Sequence, residues 1–198
     1  FFLLWFGLLC RQLLRFSRIS QQIAVDKNFT SVVLAAGIGS RLGNLTTDVP
    51  KPLIKVNDRC IIDYVIAWLK YLGSGHIVVV GGYMFEAVKK FVNDLDDSIV
   101  VVENKEYAST NRMVSLLCAR DCIKGSLLIQ DGDYIYHSDV KKVIDQTACA
   151  EITVFSSRQR SKYTAQDVIA LTDKNSNLLE IYKTEGTKEL GQNDYYFN

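Results

Sequence analysis

The chain reads as an α/β fold, a mostly parallel sheet covered by helices, and three features of its 198 residues predict it. Short runs rich in β-branched residues, such as Thr30 to Ala35 (TSVVLA) and Ile77 to Val80 (IVVV), have the apolar continuity of strands buried on both faces. Segments with a helical apolar period lie between such runs, and the two kinds alternate along the chain. With 48% hydrophobic residues there is enough chain for one sizeable core and little left for a second.

Taken in order, Thr30 to Ala35 is the first buried strand. Ile61 to Leu72 places Ile62, Val65, Ile66, Leu69 and Leu72 on one stripe and closes at Gly73, as a helix ending in a left-handed residue does. Ile77 to Val80 forms a second strand, Met84 to Val92 a helix and Ser98 to Val102 a third strand. Met113 to Ile123 reads as a helix, Leu127 to Gln130 as a central strand, and Asp139 to Gln146 as a helix opening after Ser138 as its N-cap. Glu151 to Ser156, Val168 to Leu171 and Leu178 to Tyr182 follow as strands, the last two joined by the turn-rich Asp173-Lys-Asn-Ser-Asn177. No internal repeat or low-complexity tract is evident.

The first ten residues, FFLLWFGLLC, fall outside this plan. They are short of the roughly 20 apolar residues a membrane helix needs. Arg11, Arg15 and Arg18 follow, and the positive-inside tendency would keep the domain on the cytoplasmic side of any membrane helix that preceded them. A helix packed on the surface, a remnant of an upstream domain or a spurious extension is favoured over an anchor, and membrane contact through residues 1–18 is the lesser alternative. Gln21 to Asn28 is a polar linker, which divides the chain into an extension, 1–28, and a domain, 29–198.

Twenty-three basic against 22 acidic residues give a net charge of +1, which lends no support to a nucleic-acid partner. Any phosphate binding must therefore be local, made by a few placed cations. The five cysteines (Cys10, Cys60, Cys118, Cys122 and Cys149) are scattered and lack the spacing and histidine companions of a zinc site, which favours reduced thiols in a cytoplasmic protein.

The densest chemistry follows the first strand. Leu34, Ala35 and Ala36 lead into Gly37 and Gly39, whose missing β-carbons let a polyphosphate approach the backbone N–H groups. Ser40 and Arg41 come next, and Arg41 offers a planar, multi-donor grip on phosphate. Lys51 is held between Pro50 and Pro52, which restrict the backbone on both sides and limit the entropy lost in aiming its side chain. Glycines alone would be simple turn formers; glycines, Arg41 and Lys51 together point to a nucleoside triphosphate. Further on, Asp131 and Asp133 stand where the apolar strand Leu127 to Ile129 runs out, the edge at which open α/β sheets gather ligands. A D-G turn ending a strand is common, but Mg²⁺ also favours one or two such carboxylates.

Leu34-Ala-Ala-Gly-Ile-Gly-Ser-Arg-Leu42 followed by Pro50-Lys-Pro-Leu53 resembles the signature of the nucleotidyltransferases that couple an NTP to a phosphorylated small molecule and release pyrophosphate. The resemblance runs from about Thr30 to Lys183 and implies a Rossmann-like three-layer α/β/α sandwich with a mostly parallel mixed sheet, related to the A-type glycosyltransferases. Asn104 through Tyr107 and Thr110 through Leu116 are similar to the N-x-x-Y and N-N-x-x-S-L segments of the CTP:phosphocholine cytidylyltransferase branch. The resemblance implies CTP as donor, Asp133 as the Mg²⁺ ligand with Asp131 behind it beside the nucleotide, and an active-site loop around Tyr107 and Asn111. Asn111 can both donate and accept hydrogen bonds, as reading a pyrimidine edge or positioning an acceptor requires. Lys183 is similar to a strand-end lysine that reaches the acceptor phosphate in sugar nucleotidyltransferases, although Thr184-Glu185-Gly186 replaces the usual proline; an exposed strand-end lysine is the alternative.

Two departures bear on the acceptor. Arg112 stands where a second Asn is common, and a cation there either favours an acceptor with an extra anionic group over a quaternary amine or simply faces solvent. A choline site would call for an aromatic cage; Tyr107, Tyr134, Tyr136 and Tyr163 are available, but with ten tyrosines in the chain their presence decides nothing. Members of the branch also continue further, into a segment that supplies a second acidic metal ligand and part of the acceptor pocket. Asp194 is the candidate here, and the expectation is a domain truncated at its C-terminus or a shortened member. The leading reading is a Mg²⁺-dependent enzyme that joins CMP to phosphocholine, an aminoalkylphosphonate or a related phospho-alcohol, feeding cell-surface or lipid-linked glycans. The alternatives are a sugar-1-phosphate nucleotidyltransferase using UTP, dTTP or GTP, and a nucleotide-binding regulatory subunit without turnover. The oligomeric state is left open.

Overall fold

A computed structural model describes residues 2–5, 29–146, 152–155, 168–173, 178–183 and 194–197. The expected linker at 21–28, most of the turn at 173–177, the Thr184–Gly186 segment, Tyr163, Cys10 and Cys149 lie outside them. The chain divides into two compact units: Phe1–Leu4 with Ile23–Thr153, and Trp5–Gln22 with Val154–Asn198.

The first unit is built on parallel strands. With β1 at Phe2–Trp5, the strands that matter are β2 (Thr30–Ala35), β5 (His76–Gly81), β6 (Val100–Glu103) and β7 (Leu127–Asp131). Two short strands, β3 (Lys55–Val56) and β4 (Arg59–Cys60), form a separate hairpin. In the main sheet the order is β6, β5, β2, β7, followed by β1 and β8 (Ile152–Phe155). β2 runs parallel to β5 and β7, with Val33 opposite Val79 on one side and Gln130 on the other. The expected mostly parallel sheet, covered by helices, is the one observed.

Alternation along the strands divides the core. Val32, Val78, Val80, Leu127 and Ile129 form one buried cluster with Leu116 and Ala119 of the segment that covers this face. Val33, Val79 and Leu128 point the other way and are buried as well. Helix α1 (Ile61–Leu72) buries Ile62, Val65, Ile66, Trp68 and Leu69 and ends at Gly73, whose φ of 88° is the left-handed cap expected from its sequence. Each fully buried aliphatic side chain of this kind contributes about 1.5–3 kcal/mol.

Boundaries shift where local chemistry intervenes. Helix α2 starts at Phe85 because Met84 is left-handed, with φ of 50°. The third strand starts at Val100 because Ser98 is turned back, its N–H and hydroxyl both donating to Asp96 Oδ1 at 2.9 and 2.6 Å. Helix α3 covers only Arg112–Cys118; the chain tightens at the fully buried Ala119 and continues as a 3₁₀ turn at Arg120–Cys122. Helix α4 (Val140–Gln146) follows a turn in which Ser138 accepts from the Lys141 N–H at 3.1 Å through its backbone carbonyl.

The second unit is an antiparallel sheet in which β9 (Val168–Thr172) lies between β10 (Leu178–Lys183) and β11 (Asp194–Phe197). The sequence reading missed β11.

Candidate active site

The turn after β2 is rooted in both neighbouring strand tips. The carbonyl of Leu34 accepts the Gly132 N–H at 2.9 Å, and that of Ala36 accepts the Tyr83 N–H at 3.1 Å. Ala35 and Ala36 are buried, whereas Gly37, Ser40 and Arg41 are exposed. The two glycines do different work. A β-carbon on Gly37 would meet nothing within 4 Å, so open space borders the backbone there. At Gly39, with φ of 75°, a β-carbon would stand 3.0 Å from Thr46 Cγ2 and 3.3 Å from Lys51 Cβ. Room at Gly39 therefore serves the stem of Lys51, whereas Gly37 borders open space.

Ser40–Thr46 forms a 3₁₀ turn kinked at Gly43. Thr46, buried, places its hydroxyl 3.2 Å from the carbonyl of Gly43 and 3.3 Å from that of Gly39. The turn is thus stapled to itself beside Lys51. Pro50 and Pro52 are both buried around a 3₁₀ turn, Lys51–Leu53, which fixes where the Lys51 side chain leaves the backbone.

Lys51 forms an ion pair with Asp133, 82 residues away in sequence. The two side chains are 29% and 28% exposed, so the pair sits at a mouth open to solvent. Asp131 is different. β7 alternates, and Asp131 continues the row of Leu127 and Ile129 that faces the α3 segment. There Arg112 Nη1 lies 3.1 Å from Asp131 Oδ2, with the Asp131 side chain 11% exposed. Burial pushes the Asp131 carboxyl up to about 6; Arg112 opposes this, Asp133 adds to it and Lys51 again opposes. Gly132 separates the acids. A β-carbon there would be 2.9 Å from Ala35 Cβ and 3.2 Å from Leu34 O, so only glycine lets the strand tip lie this close to the root of the turn.

Arg41 is exposed, and its charge acts on Tyr134, next to Asp133; burial, with Asp133 and Asp131, raises that phenol while Arg112 and Arg41 oppose the rise. Arg41, Lys51, Asp131 and Asp133 thus share one edge of the sheet.

A second loop borders the same edge. Asn104 is buried; its Nδ2 donates to Thr110 Oγ1 at 3.1 Å and Ser115 Oγ at 3.0 Å, and its Oδ1 accepts the Glu106 N–H at 3.0 Å. One side chain therefore ties both ends of the 104–115 segment. Tyr107 packs where a Gly82 β-carbon would otherwise be, 2.5 Å from Tyr107 Cβ, and meets Tyr83 edge-on at 6.3 Å. Asn111 is the N-cap of α3: its Oδ1 accepts from the Met113 N–H at 2.9 Å and the Val114 N–H at 3.4 Å. That oxygen is committed to the helix, so a nucleotide here would meet the Asn111 amide as a donor. Lys183 ends β10 opposite Val168, and Asp194 opens β11 opposite Leu171; their side chains lie outside the described residues. Cys60, Cys118 and Cys122 are free thiols. Among the described residues no helix is long and apolar enough to cross a membrane.

The glycine turn and the strand-end acids fall within the span of a family profile: that of the MobA-like NTP transferase domain matches residues 31–165. The chain belongs to the MobA-like NTP transferase family. The CTP:phosphoglutamine cytidylyltransferase of Campylobacter jejuni is 34% identical over 165 residues, covering 77% of this chain and 65% of that protein. The choline-phosphate cytidylyltransferase of Streptococcus pneumoniae is 31% identical over 106 residues, 54% of this chain and 45% of that one. The 2-aminoethylphosphonate cytidylyltransferase of Lancefieldella rimae is 36% identical over 106 residues, 53% and 43%. This NTP transferase chain thus spans less than two thirds of the length of these curated relatives. The solved CTP:phosphocholine cytidylyltransferase from Streptococcus pneumoniae shares its fold, with a TM-score of 0.64 at 22% identity over 86% of this chain and 71% of that one.

Three features escaped the sequence reading: the Asn104 tie, the Thr46 staple and the Arg112–Asp131 pair. The last was within reach, because the two-residue period of β7 sets Asp131 on the face that α3 covers.

Proposed function

We propose that this chain transfers CMP from CTP to a small molecule carrying a phosphate or phosphonate. The observation that carries this reading is the meeting of Lys51 and Asp133, with the Lys51 stem against Gly39 of the turn in which Gly37 borders open space. The identity of the donor and the class of acceptor are supported by the cytidylyltransferase relatives.

In the reaction an acceptor oxygen bonds to the α-phosphorus of CTP, the bond from that phosphorus to the oxygen bridging the β-phosphate breaks, and pyrophosphate leaves. Both reactants are anions, so neutralising their charge is the main requirement. Lys51 and Arg41 supply it from the turn, and the backbone at Gly37 lies open to the phosphates. Lys51 exchanges Asp133 for phosphate when the nucleotide enters, because both partners are a quarter or more exposed and the pair is held by surface-strength attraction. Asn111 donates its amide, and Tyr107 walls the same edge.

Asp133 fits Mg²⁺, being a hard, solvent-reached carboxylate at a strand tip, and Asp131 stands behind it. When bound, Mg²⁺ neutralises the phosphates and the leaving pyrophosphate. No group of three or more metal-ligating side chains occurs among the described residues, so phosphate and water would complete its shell. The reaction is assigned to the cytoplasm, where CTP is made.

The test is pyrophosphate release from CTP, UTP, dTTP and GTP against phosphocholine, phosphoethanolamine, 2-aminoethylphosphonate and sugar 1-phosphates, with and without Mg²⁺. Release from CTP with a non-sugar acceptor, lost on removing Mg²⁺, is expected. Release with UTP and a sugar 1-phosphate, or nucleotide binding without any release, would replace the reading.

A further inference from the structure

We propose that Arg112 makes this site select acceptors bearing an anionic group, such as a carboxylate, in addition to the phosphate or phosphonate that receives CMP. The proposal rests on the nucleotidyl-transfer reading above and names the substrate class of that site.

Arg112 is joined to the strand tip through Asp131, 3.1 Å away, and Asp131 ends β7 two positions before Asp133. An acceptor whose phosphate oxygen meets the nucleotide beside Lys51 and Asp133 has its tail within one small-molecule length of this guanidinium. The pair is unequal. The Asp131 side chain is 11% exposed and the Arg112 side chain 52%, so the acid is sealed into the fold while the cation still reaches solvent. A buried acid behind a half-exposed guanidinium orients a planar group made for carboxylate recognition.

The backbone beneath Arg112 is fixed as well. Asn104 ties the preceding loop to Thr110 and Ser115, and Asn111 caps α3 one residue before Arg112. A cation held on both sides loses little further freedom when it binds an anion. Among the described residues, Arg41, Lys51, Asp131, Asp133, Glu103, Lys105 and Glu106 also lie on the strand ends or loops at this edge, and Arg112 is the cation paired with the buried Asp131.

The aromatic side chains argue in the same direction. A quaternary ammonium tail is held by ring faces converging on one space. Here Tyr134 and Tyr136 stack on each other at 6.2 Å, Tyr136 lies against Trp68 at 6.0 Å, and Tyr83 meets Tyr107 edge-on. Among the described residues these rings are engaged with one another in pairs.

The experiment measures kcat/KM by pyrophosphate release for pairs that differ by one carboxylate: O-phosphoserine against phosphoethanolamine, and 2-amino-3-phosphonopropionate against 2-aminoethylphosphonate, with phosphocholine alongside. The carboxylate-bearing member is expected to be preferred tenfold or more. Arg112→Gln should bring the ratio to within threefold of one, mainly through KM of the carboxylate-bearing acceptor, and Arg112→Lys should keep part of the preference. A purely structural role for Arg112 would lower both members of a pair together and leave the ratio in place, which overturns the proposal. Phosphocholine used as well as, or better than, the carboxylate-bearing acceptors overturns it too while leaving nucleotidyl transfer standing. Absence of pyrophosphate with every acceptor fails the transfer reading itself and removes the proposal with it.

Discussion

Asp131 and Asp133 stand two residues apart on the same strand tip, each beside a cation, and they behave as different groups. Lys51 and Asp133 are about equally exposed, at 29% and 28%, whereas Arg112 is 52% exposed and Asp131 only 11%. The Asp131 carboxyl is pushed up to about 6 by burial even with a guanidinium at its side. Depth in the fold, more than the presence of a partner, separates the exchangeable pair from the fixed one. The exposed pair can be opened by a ligand; the buried acid holds its arginine in place.

The strongest way to break this contrast is to remove the exposed pair. Lys51→Ala and Asp133→Ala are each expected to lower pyrophosphate release by about 100-fold or more, since each removes charge stabilisation at the transferred group. Each should cost less than about 1 kcal/mol of stability by urea unfolding, as surface pairs do. A large loss of stability in either would mean that the pair is architectural.

The buried acid predicts the reverse. Its folded pKa, about 6, lies above the ordinary carboxyl value of 3.8, so the unfolded chain releases this proton first as pH rises. The group therefore subtracts stability progressively between about pH 4 and pH 6, by about 3 kcal/mol at most on the shift quoted. In metal-free protein, Asp131→Asn should remove that fall and leave the variant more stable than the parent at pH 7 and no more stable at pH 3.5. Parallel unfolding curves for parent and variant across this range would contradict the burial argument.

Gly132, between the two acids, sharpens the comparison. Gly132→Ala brings a methyl against Ala35 and the Leu34 carbonyl, and a cost of about 1–3 kcal/mol is expected, measured by thermal unfolding. At the small end, Lys90→Ala breaks a helix-surface pair whose members are 78% and 65% exposed and should change stability by less than about 0.5 kcal/mol.

Much of the scaffold was legible because it follows periodicity. The strand at 30–35 and the helix at 61–72 with its Gly73 cap were read to the residue, since buried β-branched runs and a 3.6-residue stripe are local signals. What escaped was set by particular side chains or by distant partners. Asn57 and Asp58, with φ of 49° and 62°, close the hairpin between β3 and β4 without a glycine to announce it. Ser98 delays its strand by bonding to Asp96, and Met84 delays its helix by turning left-handed.

The site divides in the same way. Gly37, Arg41 and Lys51 were legible as one stretch and Asp133 as a strand-end acid, and the fold pairs Lys51 with Asp133. The missing β-carbon of Gly39 also admits the stem of Lys51, a packing role that its sequence context does not announce. Asn111 was read as a donor and acceptor for a pyrimidine edge or for positioning the acceptor, and its oxygen is occupied by the α3 cap. The Asn104 tie joins residues up to 11 apart through a buried amide, which no spacing rule reveals.

The most direct measurement is a crystal structure with CTP and Mg²⁺. It should place the triphosphate along Gly37 to Arg41, with Lys51 Nζ moved from Asp133 onto phosphate and Arg112 still on Asp131. A nucleotide bound elsewhere, or the triphosphate held while Lys51 remains on Asp133, would contradict the account.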